Sequence, residues 1–328
     1  MRTLSFSEAT LEAMREEMRR DPTVFLLGED IAKQGGIFGQ FKGLPDEFGL
    51  DRVRDTPISE AALVGAGVGA ALTGCRPVVD MHFADFITCA MDEVVNQAAK
   101  LRYMFGEQCS VPMTLRAPDG ITKSAGSQHS QALEAWFVHT PGLEVVAPAD
   151  AEDAKGLLKA AIRSDNPTLY FEHKALFPAK GPVPDDEDFV VPLGRAKMMR
   201  DGGDVAIVAY GVTVGRALEA AALLEADGID ATVLNLRTLW PLDYDAIANA
   251  VARTHRVVVA HEAVRVGGVG AEVAAFLGEE CFDDLDAPVV RLGAAHVPVP
   301  FAPVLQEAMY PKAAAICDAA RRLVRREV

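Results

Sequence analysis

The sequence predicts two α/β domains, each built on a mainly parallel β-sheet. Apolar strand-like segments alternate with helical patterns along the chain, and a single proline-rich acidic segment interrupts this alternation. The length of 328 residues corresponds to two domains at roughly 100–200 residues per domain. Because 50% of the residues are hydrophobic, the chain can fill two hydrophobic cores.

The first half of the chain opens with a helix and continues with alternating strands and helices. Ser5 and Glu8 have the spacing of a capping box, and Leu11, Met14 and Met18 follow at helical intervals. Short apolar segments predict strands at 24–27, 78–79, 113–115, 144–146 and 168–171, and helical patterns cover 61–73, 88–104 and 151–163. Ligands of such sheets bind at the carboxyl ends of the strands.

The clearest domain boundary is the proline-rich acidic segment at 178–194. Its prolines surround the run Asp185-Asp186-Glu187-Asp188. Because proline fixes φ and like charges repel one another, we expect an extended linker there. The predicted domains are therefore 1–177 and 195–328. In the second domain, strands at 205–209, 231–236 and 257–260 alternate with a helix at 214–226.

Composition and charge exclude several classes of protein. The formal net charge is −15, so we expect no nucleic-acid partner and no attraction to an anionic membrane. The longest small-apolar run, 61–75, is shorter than the roughly 20 apolar residues of a membrane-spanning helix. The N-terminal residues lack an apolar signal core, so we predict a cytoplasmic protein, or one imported by a signal no longer present. The five cysteines contain no C-x-x-C pair and are expected to be buried free thiols rather than disulfides or zinc ligands.

Glu60 and His129 are the candidate catalytic residues. Glu60 begins a helix of alanine and glycine, in which Gly65, Gly67 and Gly69 indicate close approach of a neighbouring subunit or a cofactor. The alternative for Glu60 is that it only complements the helix dipole from the first turn. His129 follows a glycine-containing flexible stretch and can serve as an acid, a base or an oxyanion donor. The alternative for His129 is a surface or structural histidine, which is the more common case.

Three further local features bear on function. Ser59 can cap the helix that begins at Glu60. His82 and Phe86 follow the predicted strand at 78–79 and lie at its carboxyl end, where a ligand would bind. Gly267-Gly268-Val269-Gly270 partly matches a dinucleotide fingerprint, but we interpret it as helix–strand packing or a tight turn. The sequence contains no P-loop, H-E-x-x-H or G-x-S-x-G motif.

Five segments together carry a family resemblance. They are Asp55-Thr56-Pro57-Ile58-Ser59-Glu60, Gln128-His129-Ser130-Gln131, Pro141-Gly142-Leu143, Asp153-Ala154-Lys155-Gly156-Leu157 and Leu236-Arg237-Thr238-Leu239-Trp240-Pro241-Leu242-Asp243. They resemble the beta subunit of thiamine-diphosphate-dependent 2-oxo acid dehydrogenase first components, a family that includes pyruvate, branched-chain 2-oxo acid and acetoin dehydrogenases. The resemblance covers nearly the whole chain. It implies a transketolase-like fold, with a pyrimidine-binding domain followed by a transketolase C-terminal-type domain.

The resemblance implies a role for each candidate residue. The glutamate matching Glu60 hydrogen-bonds the pyrimidine ring of thiamine diphosphate and assists deprotonation of its thiazolium carbon. The aromatic side chain matching Phe86 packs against the pyrimidine, and Ile58 and His82 belong to the same cofactor-binding set. The histidine matching His129 lies near the reacting carbonyl, where it can stabilise developing charge or help to place the lipoyl arm.

Several differences from the family pattern define what a partner must supply. The G-D-G…N motif that holds diphosphate and magnesium is absent here and belongs to the alpha subunit in two-chain members. We therefore expect an alpha subunit that holds the magnesium, in an assembly of two alpha and two beta subunits.

A monovalent cation site, potassium in the family, is implied at Ala161, Ile162, Ser164 and Asn166, although Ser164 replaces the aspartate of the family's loop. His82 matches neither the pyruvate type nor the branched-chain type.

The resemblance predicts an enzyme that generates an acyl group from acetoin or a pyruvate-like 2-oxo acid. The acyl group passes to lipoamide of an acyltransferase core, whose lipoyl and peripheral subunit-binding domains are further expected partners. Gln128-His129-Ser130-Gln131, Trp136 and Phe171-Glu172-His173-Lys174 favour acetoin and pyruvate members over branched-chain members. Two alternatives stay open: a split transketolase-like carboligase or ketol transferase, and a non-catalytic assembly subunit. The presence of both Glu60 and His129 argues against the non-catalytic alternative.

Overall fold

The computed structural model describes residues 1–122 and 124–327. Contacts between residues divide the chain into two compact units. The first unit contains Met1–Asp119 and Trp136–Leu193, and the second contains Gly120–Ala135 and Gly194–Val328. The proline-rich segment thus lies with the first unit as far as Leu193, and the segment that carries His129 lies with the second.

The first unit is built on a parallel sheet. Between residues 1 and 193 the strands are β1 (Arg2–Ser5), β2 (Val24–Gly28), β3 (Val53–Asp55), β4 (Arg76–Asp80), β5 (Thr114–Asp119), β6 (Glu144–Val146), β7 (Thr168–His173) and β8 (Lys180–Val183). The α-helices are α1 (Phe6–Arg20), α2 (Leu44–Phe48), α3 (Glu60–Leu72), α4 (Ala99–Met104), α5 (Glu134–Val138) and α6 (Ala151–Arg163). The strand order β6-β7-β5-β4-β2-β3 is parallel throughout, whereas β1 pairs with β8 in antiparallel fashion.

Helix α1 begins at the predicted capping box. The Ser5 side chain accepts the backbone N–H of Glu8, and the Glu8 side chain accepts the backbone N–H of Ser5. Met14 and Met18 lie on its buried face and pack in the core cluster that also contains Leu157 of α6. The 3.6-residue periodicity of apolar side chains therefore determines which face of α1 enters the core.

The segment predicted as a helix over 88–104 is helical throughout, but it is not one regular α-helix. The backbone forms a 3₁₀ helix at Ala84–Ala90, a π-helical turn at Glu93–Ala98, and only then α4. In the first piece the buried residues Ala84, Ile87 and Ala90 recur every three residues, which is the period of a 3₁₀ helix.

Two buried lysines hold the proline-rich segment against the first unit. Lys155 Nζ donates to Glu16 Oε1 at 2.9 Å and to the carbonyl oxygen of Asp186 at 3.2 Å. Lys159 Nζ donates to Glu16 Oε2 at 2.7 Å and to the carbonyl oxygen of Glu187. The segment predicted as an extended linker is therefore fixed along its length, because buried ammonium groups hold its main chain.

The second unit has a five-stranded sheet. The strands between residues 194 and 327 are β9 (Lys197–Arg200), β10 (Val205–Ala209), β11 (Ala231–Asn235), β12 (Thr238–Trp240), β13 (Val257–Val264) and β14 (Val290–Ala294), and all except β12 belong to this sheet. The helices are α7 (Thr213–Ala226), α8 (Tyr244–Thr254), α9 (Val269–Glu280), α10 (Pro303–Met309) and α11 (Ala313–Arg325). The sheet order is β14-β13-β10-β11-β9, and only β9 runs antiparallel to its neighbour.

The glycines before α9 serve helix–strand packing, as predicted. A Cβ atom at Gly268 or Gly270 would lie 2.7 or 2.8 Å from the ring of His261 on β13. The five cysteines are free, but Cys281 and Cys317 alone among them are buried, so the prediction of buried thiols is wrong for Cys75, Cys89 and Cys109. Across the part of the chain that the structure describes, no helix has the length and apolar character needed to cross a membrane.

Candidate active site

Residues that follow β2, β3 and β4 meet at one edge of the first unit's sheet, which we call the carboxyl edge. The last residues of these three strands lie in register. Because the strands are parallel, the segments behind them leave the sheet at the same edge. Glu29 follows β2, Glu60 begins the helix behind β3, and His82 follows β4. The predicted site residues Glu60 and His82 are therefore brought to one place.

The side chains of Glu29 and His82 are in contact at the carboxyl edge, and both are largely buried. Glu29 Oε2 lies 3.2 Å from Nδ1 of His82, and the two side chains are 7% and 16% exposed. Nε2 of the same imidazole lies 2.8 Å from the main-chain oxygen of Glu29. The second carboxylate oxygen, Oε1, is buried and has no hydrogen-bond partner among the described residues. An unpartnered buried acceptor of this kind suits a ligand that donates a hydrogen bond.

Acidic groups dominate the electrostatics of this edge. Burial raises the pKa of Glu29 above its usual value, and His82 opposes this effect. The carboxylates of Glu60, Asp30 and Asp80 raise the pKa of Glu29 further, because each disfavours a second negative charge nearby. The arrangement can therefore hold a proton between carboxylates and a weakly basic ligand atom.

The other predicted residues of this edge differ in exposure. Glu60 is half-buried as the first residue of α3. Ser59 occupies the N-cap position, but its side chain makes no capping hydrogen bond, so the prediction of a Ser59 cap is wrong. Ile58 is 82% exposed. Phe86 is half-buried on the 3₁₀ helix, and its ring meets that of Phe83 edge-to-face with 5.8 Å between centroids.

The glycines of α3 have two different surroundings. A Cβ atom at Gly67 would lie 2.5 Å from Val79 and 3.0 Å from Met113, so this glycine lets the helix pack closely on the sheet. At Gly65 the nearest atom would be 3.5 Å away, and at Gly69 nothing described lies within 4 Å. Close approach inside the chain therefore explains Gly67 only, and the other two leave room for a neighbouring molecule.

A buried ion network links the strands next to the carboxyl edge. Arg116 on β5 donates to Asp80 Oδ1 at 2.5 Å and to the carboxylate of Glu172 on β7. The other oxygen of Glu172 accepts a hydrogen bond from Thr10 Oγ1 at 2.8 Å. Burial raises the pKa of both carboxyls, and the guanidinium opposes this. The network joins three strands and α1, and so makes the edge rigid.

The loop implied as a potassium site is occupied by arginine side chains. Arg76 Nη1 donates to the carbonyl oxygens of Ile162 and Ser164 at 3.1 and 2.8 Å. Asn166 Oδ1 accepts from Arg102 at 2.6 Å, and the Ala161 carbonyl accepts the backbone N–H of Ser164 at 3.2 Å. A monovalent cation at this loop would therefore share these oxygens with the hydrogen-bond donors or displace them.

His129 lies in the second unit, on the segment Gly120–Ala135. Its backbone N–H donates to the carbonyl oxygen of Gly126 at 3.4 Å, and its side chain is half-buried. Gly126 has a φ of +79°, a conformation that favours glycine. Ser127 Oγ donates to the carbonyl oxygen of Val299 at 2.8 Å. The structure therefore places Glu60, Ile58, His82 and Phe86 in one unit and His129 in the other.

Both parts of the chain match known protein domains. Residues 2–180 match the transketolase pyrimidine binding domain, and residues 194–316 match the transketolase C-terminal domain. The 2-oxoisovalerate dehydrogenase subunit beta of Bacillus subtilis is 45% identical over 309 residues, which cover 94% of each chain. The chain belongs to the family of transketolase-like dehydrogenase beta subunits. This confirms the resemblance, and the family depends on thiamine diphosphate.

Other relatives in this family carry different substrate names. The acetoin:2,6-dichlorophenolindophenol oxidoreductase subunit beta of Bacillus subtilis is 45% identical over 322 residues, and the match covers 94% of each chain. The pyruvate dehydrogenase E1 component subunit beta of Rhizobium meliloti is 42% identical over 321 residues, covering 98% of this chain and 70% of that one. Because the sequence identities to these relatives are so similar, they do not indicate which substrate this chain uses.

Solved structures confirm the transketolase-like fold. A split gene transketolase, described as an inactive beta4 tetramer, has a TM-score of 0.80 and 26% identity over 98% of both chains. A transketolase variant from Pichia stipitis has a TM-score of 0.73 at 17% identity and shares the fold. That match covers 98% of this chain but 46% of the Pichia protein.

One site residue is not singled out by the sequence patterns. Glu29 stands directly after the predicted strand at 24–27, and strand ends of a parallel sheet are where ligands bind. The position after the strand is the sequence feature that indicates a ligand-binding residue, but the neighbouring Asp30 shares this feature. Only the contact with His82 distinguishes Glu29.

Proposed function

We propose that this chain is the beta subunit of a thiamine-diphosphate-dependent dehydrogenase first component. Its reaction generates an acyl group from acetoin or a pyruvate-like 2-oxo acid and transfers it to lipoamide. The observation that carries the proposal is the acidic carboxyl edge, with Glu29, Glu60 and His82, in the part of the chain that matches a pyrimidine binding domain.

The residues of this edge fit an aminopyrimidine. Such a ring offers N–H donors, a weakly basic nitrogen and a flat apolar face. The buried Oε1 of Glu29 lacks a donor, and the half-buried ring of Phe86 offers an aromatic surface. Ile58, which is 82% exposed, offers a further apolar contact. The predicted cofactor-binding set Glu60, Phe86, Ile58 and His82 is therefore retained in the proposal, with Glu29 added.

Glu60 is proposed to share a proton with the ring nitrogen of the pyrimidine. General acid–base catalysis needs such a carboxyl group within hydrogen-bond reach of the atom that gains or loses the proton. When bound, thiamine diphosphate supplies the carbon nucleophile that attacks the substrate carbonyl. His129 is proposed to donate a hydrogen bond to the oxygen of that carbonyl or to the lipoyl group. His82 is proposed to contact the substrate and to influence its choice.

The proposal assigns the diphosphate to an alpha subunit. The 328 residues contain no G-D-G…N motif, and the curated relatives are named beta subunits. We therefore propose two alpha and two beta chains, with magnesium held by the alpha subunit. An acyltransferase core with lipoyl and peripheral subunit-binding domains would accept the acyl group. The open space at Gly65 and Gly69 of α3 supports a close protein neighbour.

The carboligase alternative has weaker support. The split gene transketolase is 26% identical, whereas dehydrogenase subunits are 45% identical. A transketolase-like subunit would use the same fold and cofactor, so the reaction itself must distinguish the two. Lipoamide-linked turnover would support the dehydrogenase, and ketol transfer between sugar phosphates would support the alternative.

Calorimetry with and without an alpha partner tests the division of the site. The isolated chain should bind thiamine diphosphate weakly or not at all, since the charged diphosphate needs a metal and backbone N–H groups that the partner supplies. Adding the alpha subunit should create tight, magnesium-dependent binding and lipoamide-linked turnover. Tight binding or turnover by the isolated chain would show that the half-site assignment is wrong.

A further inference from the structure

We propose that Glu262 and Arg216 are positioning residues that hold the segment carrying His129. The inference rests on the function proposed for His129 and concerns what places that segment. In the chain, the segment begins directly after β5, yet it belongs to the compact second unit. Its placement therefore depends on contacts with residues far away in the sequence.

Glu262 anchors the start of the segment through a carboxylate that is itself fixed. Glu262 lies on β13 and is 6% exposed. Its Oε1 accepts the backbone N–H of Ile121 at 2.7 Å, and its Oε2 accepts Nη2 of Arg216 at 2.8 Å. A charge-assisted hydrogen bond to a main-chain N–H is stronger than a neutral one and defines the direction of the peptide.

Arg216 is fixed from a second side. It lies on α7, and its guanidinium carbon stands 4.1 Å from the ring centroid of Tyr310. An arginine stacked on an aromatic ring keeps its planar orientation while it donates in that plane. Arg216 therefore limits the rotation of the Glu262 carboxylate and, through it, the position of Ile121.

Other contacts of the segment extend this anchor toward His129. The Ile121 side chain packs against the small core cluster of Ala294, Val299 and Met309. The backbone N–H of Gly120 donates to the carbonyl oxygen of Gln131 at 3.2 Å, which joins the start of the segment to a residue two positions after His129. Because of this link, movement at Ile121 should displace the turn that contains His129.

Small displacements of this kind reduce catalysis. Reacting groups must be held within about 0.5 Å, and a misplacement of about 1 Å costs on the order of 100-fold in rate. Loss of the Glu262 anchor should therefore act on turnover through His129. It should leave the affinity for thiamine diphosphate unchanged, since Glu262 is not among the residues proposed to bind it.

The test uses a double-mutant cycle in the assembly with the alpha subunit. Glu262→Ala should lower lipoamide-linked kcat by about 10- to 100-fold, and Glu262→Gln, which keeps one acceptor oxygen, should give an intermediate rate. In a His129→Ala background, Glu262→Ala should cause little further loss, because both changes act through one group. An equal loss in both backgrounds would show a general structural effect and overturn the inference.

Hydrogen exchange provides a readout that does not need turnover. Backbone amides of 120–131 should exchange faster in Glu262→Ala and in Arg216→Met, the second variant serving if the first does not fold. Glu225→Ala is the matched control, because it removes a carboxylate 3.1 Å from Arg200 in the same unit. Unchanged exchange at 120–131 would overturn the inference. Absence of lipoamide-linked turnover in the wild-type assembly would instead overturn the proposed function.

Discussion

The imidazole of His82 is held at both ring nitrogens by a single residue, Glu29. Nδ1 lies 3.2 Å from the Glu29 carboxylate, and Nε2 lies 2.8 Å from the Glu29 main-chain oxygen. The two residues follow neighbouring parallel strands, so the sheet itself brings them together. This pairing fixes the orientation of the imidazole ring that is proposed to contact the substrate.

Replacement of His82 should change the substrate preference. In His82→Met, the relative kcat/KM values for acetoin, pyruvate and longer 2-oxo acids should shift by about 10-fold, or about 1.4 kcal/mol, as expected for one pocket contact. Steady-state rates of the assembled enzyme across this panel provide the measurement. His296→Met is the control, because His296 is exposed in the second unit. An unchanged preference profile would remove His82 from the pocket.

Replacement of Glu60 should separate binding from catalysis. Glu60→Gln in the assembled enzyme should preserve most of the cofactor affinity, because the diphosphate is held elsewhere. It should lower kcat by on the order of 10²–10⁴, as expected when an acid–base group is lost. Glu272→Gln is the matched control, since Glu272 also lies in the first turn of a helix. Full activity of Glu60→Gln would contradict the catalytic assignment and favour the non-catalytic alternative.

Arg76 should make the first unit independent of potassium. The wild-type melting temperature should be the same in potassium and choline chloride, because the guanidinium already satisfies the Ile162 and Ser164 carbonyls. Arg76→Met should lower stability by about 1–3 kcal/mol, the cost of leaving buried acceptors unpaired. Potassium, but not choline, should then restore part of the loss.

Arg54→Met provides the control for Arg76. Arg54 is exposed, and its Nη2 lies 3.8 Å from Oδ1 of the exposed Asp51. Its melting temperature should respond to neither salt. If potassium stabilises the wild type, in which Arg76 is intact, the loop binds a cation beside the arginine. Arg76 and potassium would then not compete for the carbonyl oxygens of Ile162 and Ser164.

His261 should make stability depend on acid pH. Burial lowers the pKa of His261 from 6.5 to about 4, so the unfolded chain takes up the proton first as the pH falls. The contribution of the neutral imidazole is complete above about pH 6.5 and is lost progressively down to about pH 4. At about 1.4 kcal/mol per pKa unit, the loss amounts to about 3 kcal/mol.

His261→Asn should remove this loss, because asparagine cannot take up the proton. Denaturant unfolding of the variant between pH 7 and 4 should show a flatter decline in stability than the wild type. His296→Asn, at an exposed position, should keep the wild-type decline. Parallel curves for wild type and His261→Asn would show that His261 does not titrate with folding.

Much of the fold follows from local sequence patterns. Strand β6 at Glu144–Val146, helix α6 at Ala151–Arg163 and strand β10 at Val205–Ala209 have the bounds that their apolar patterns predict. The capping box of Ser5 and Glu8 forms as expected. These features depend on neighbours within a few residues, and the hydrophobic effect acts on them through a simple period of two or 3.6 residues.

Other features depend on which elements pack together. The segment predicted as a helix over 88–104 is helical, but its change from 3₁₀ through π to α geometry does not follow from the apolar periodicity of the sequence. The buried lysines Lys155 and Lys159 hold the predicted extended linker through the main-chain carbonyls of Asp186 and Glu187. Both lysines lie on α6, and the charge pattern of the linker itself does not reveal these contacts.

The sequence by itself determined the two α/β domains, the family and the candidate residues Glu60, His82, Phe86 and His129. Only the tertiary structure decided that Glu29 pairs with His82, 53 residues away, and that Arg76 engages the carbonyls of the potassium loop. The physical reason is that periodicity and motifs record contacts within one element. Hydrogen bonds between distant side chains arise only when the sheet brings separate strand ends to the same edge.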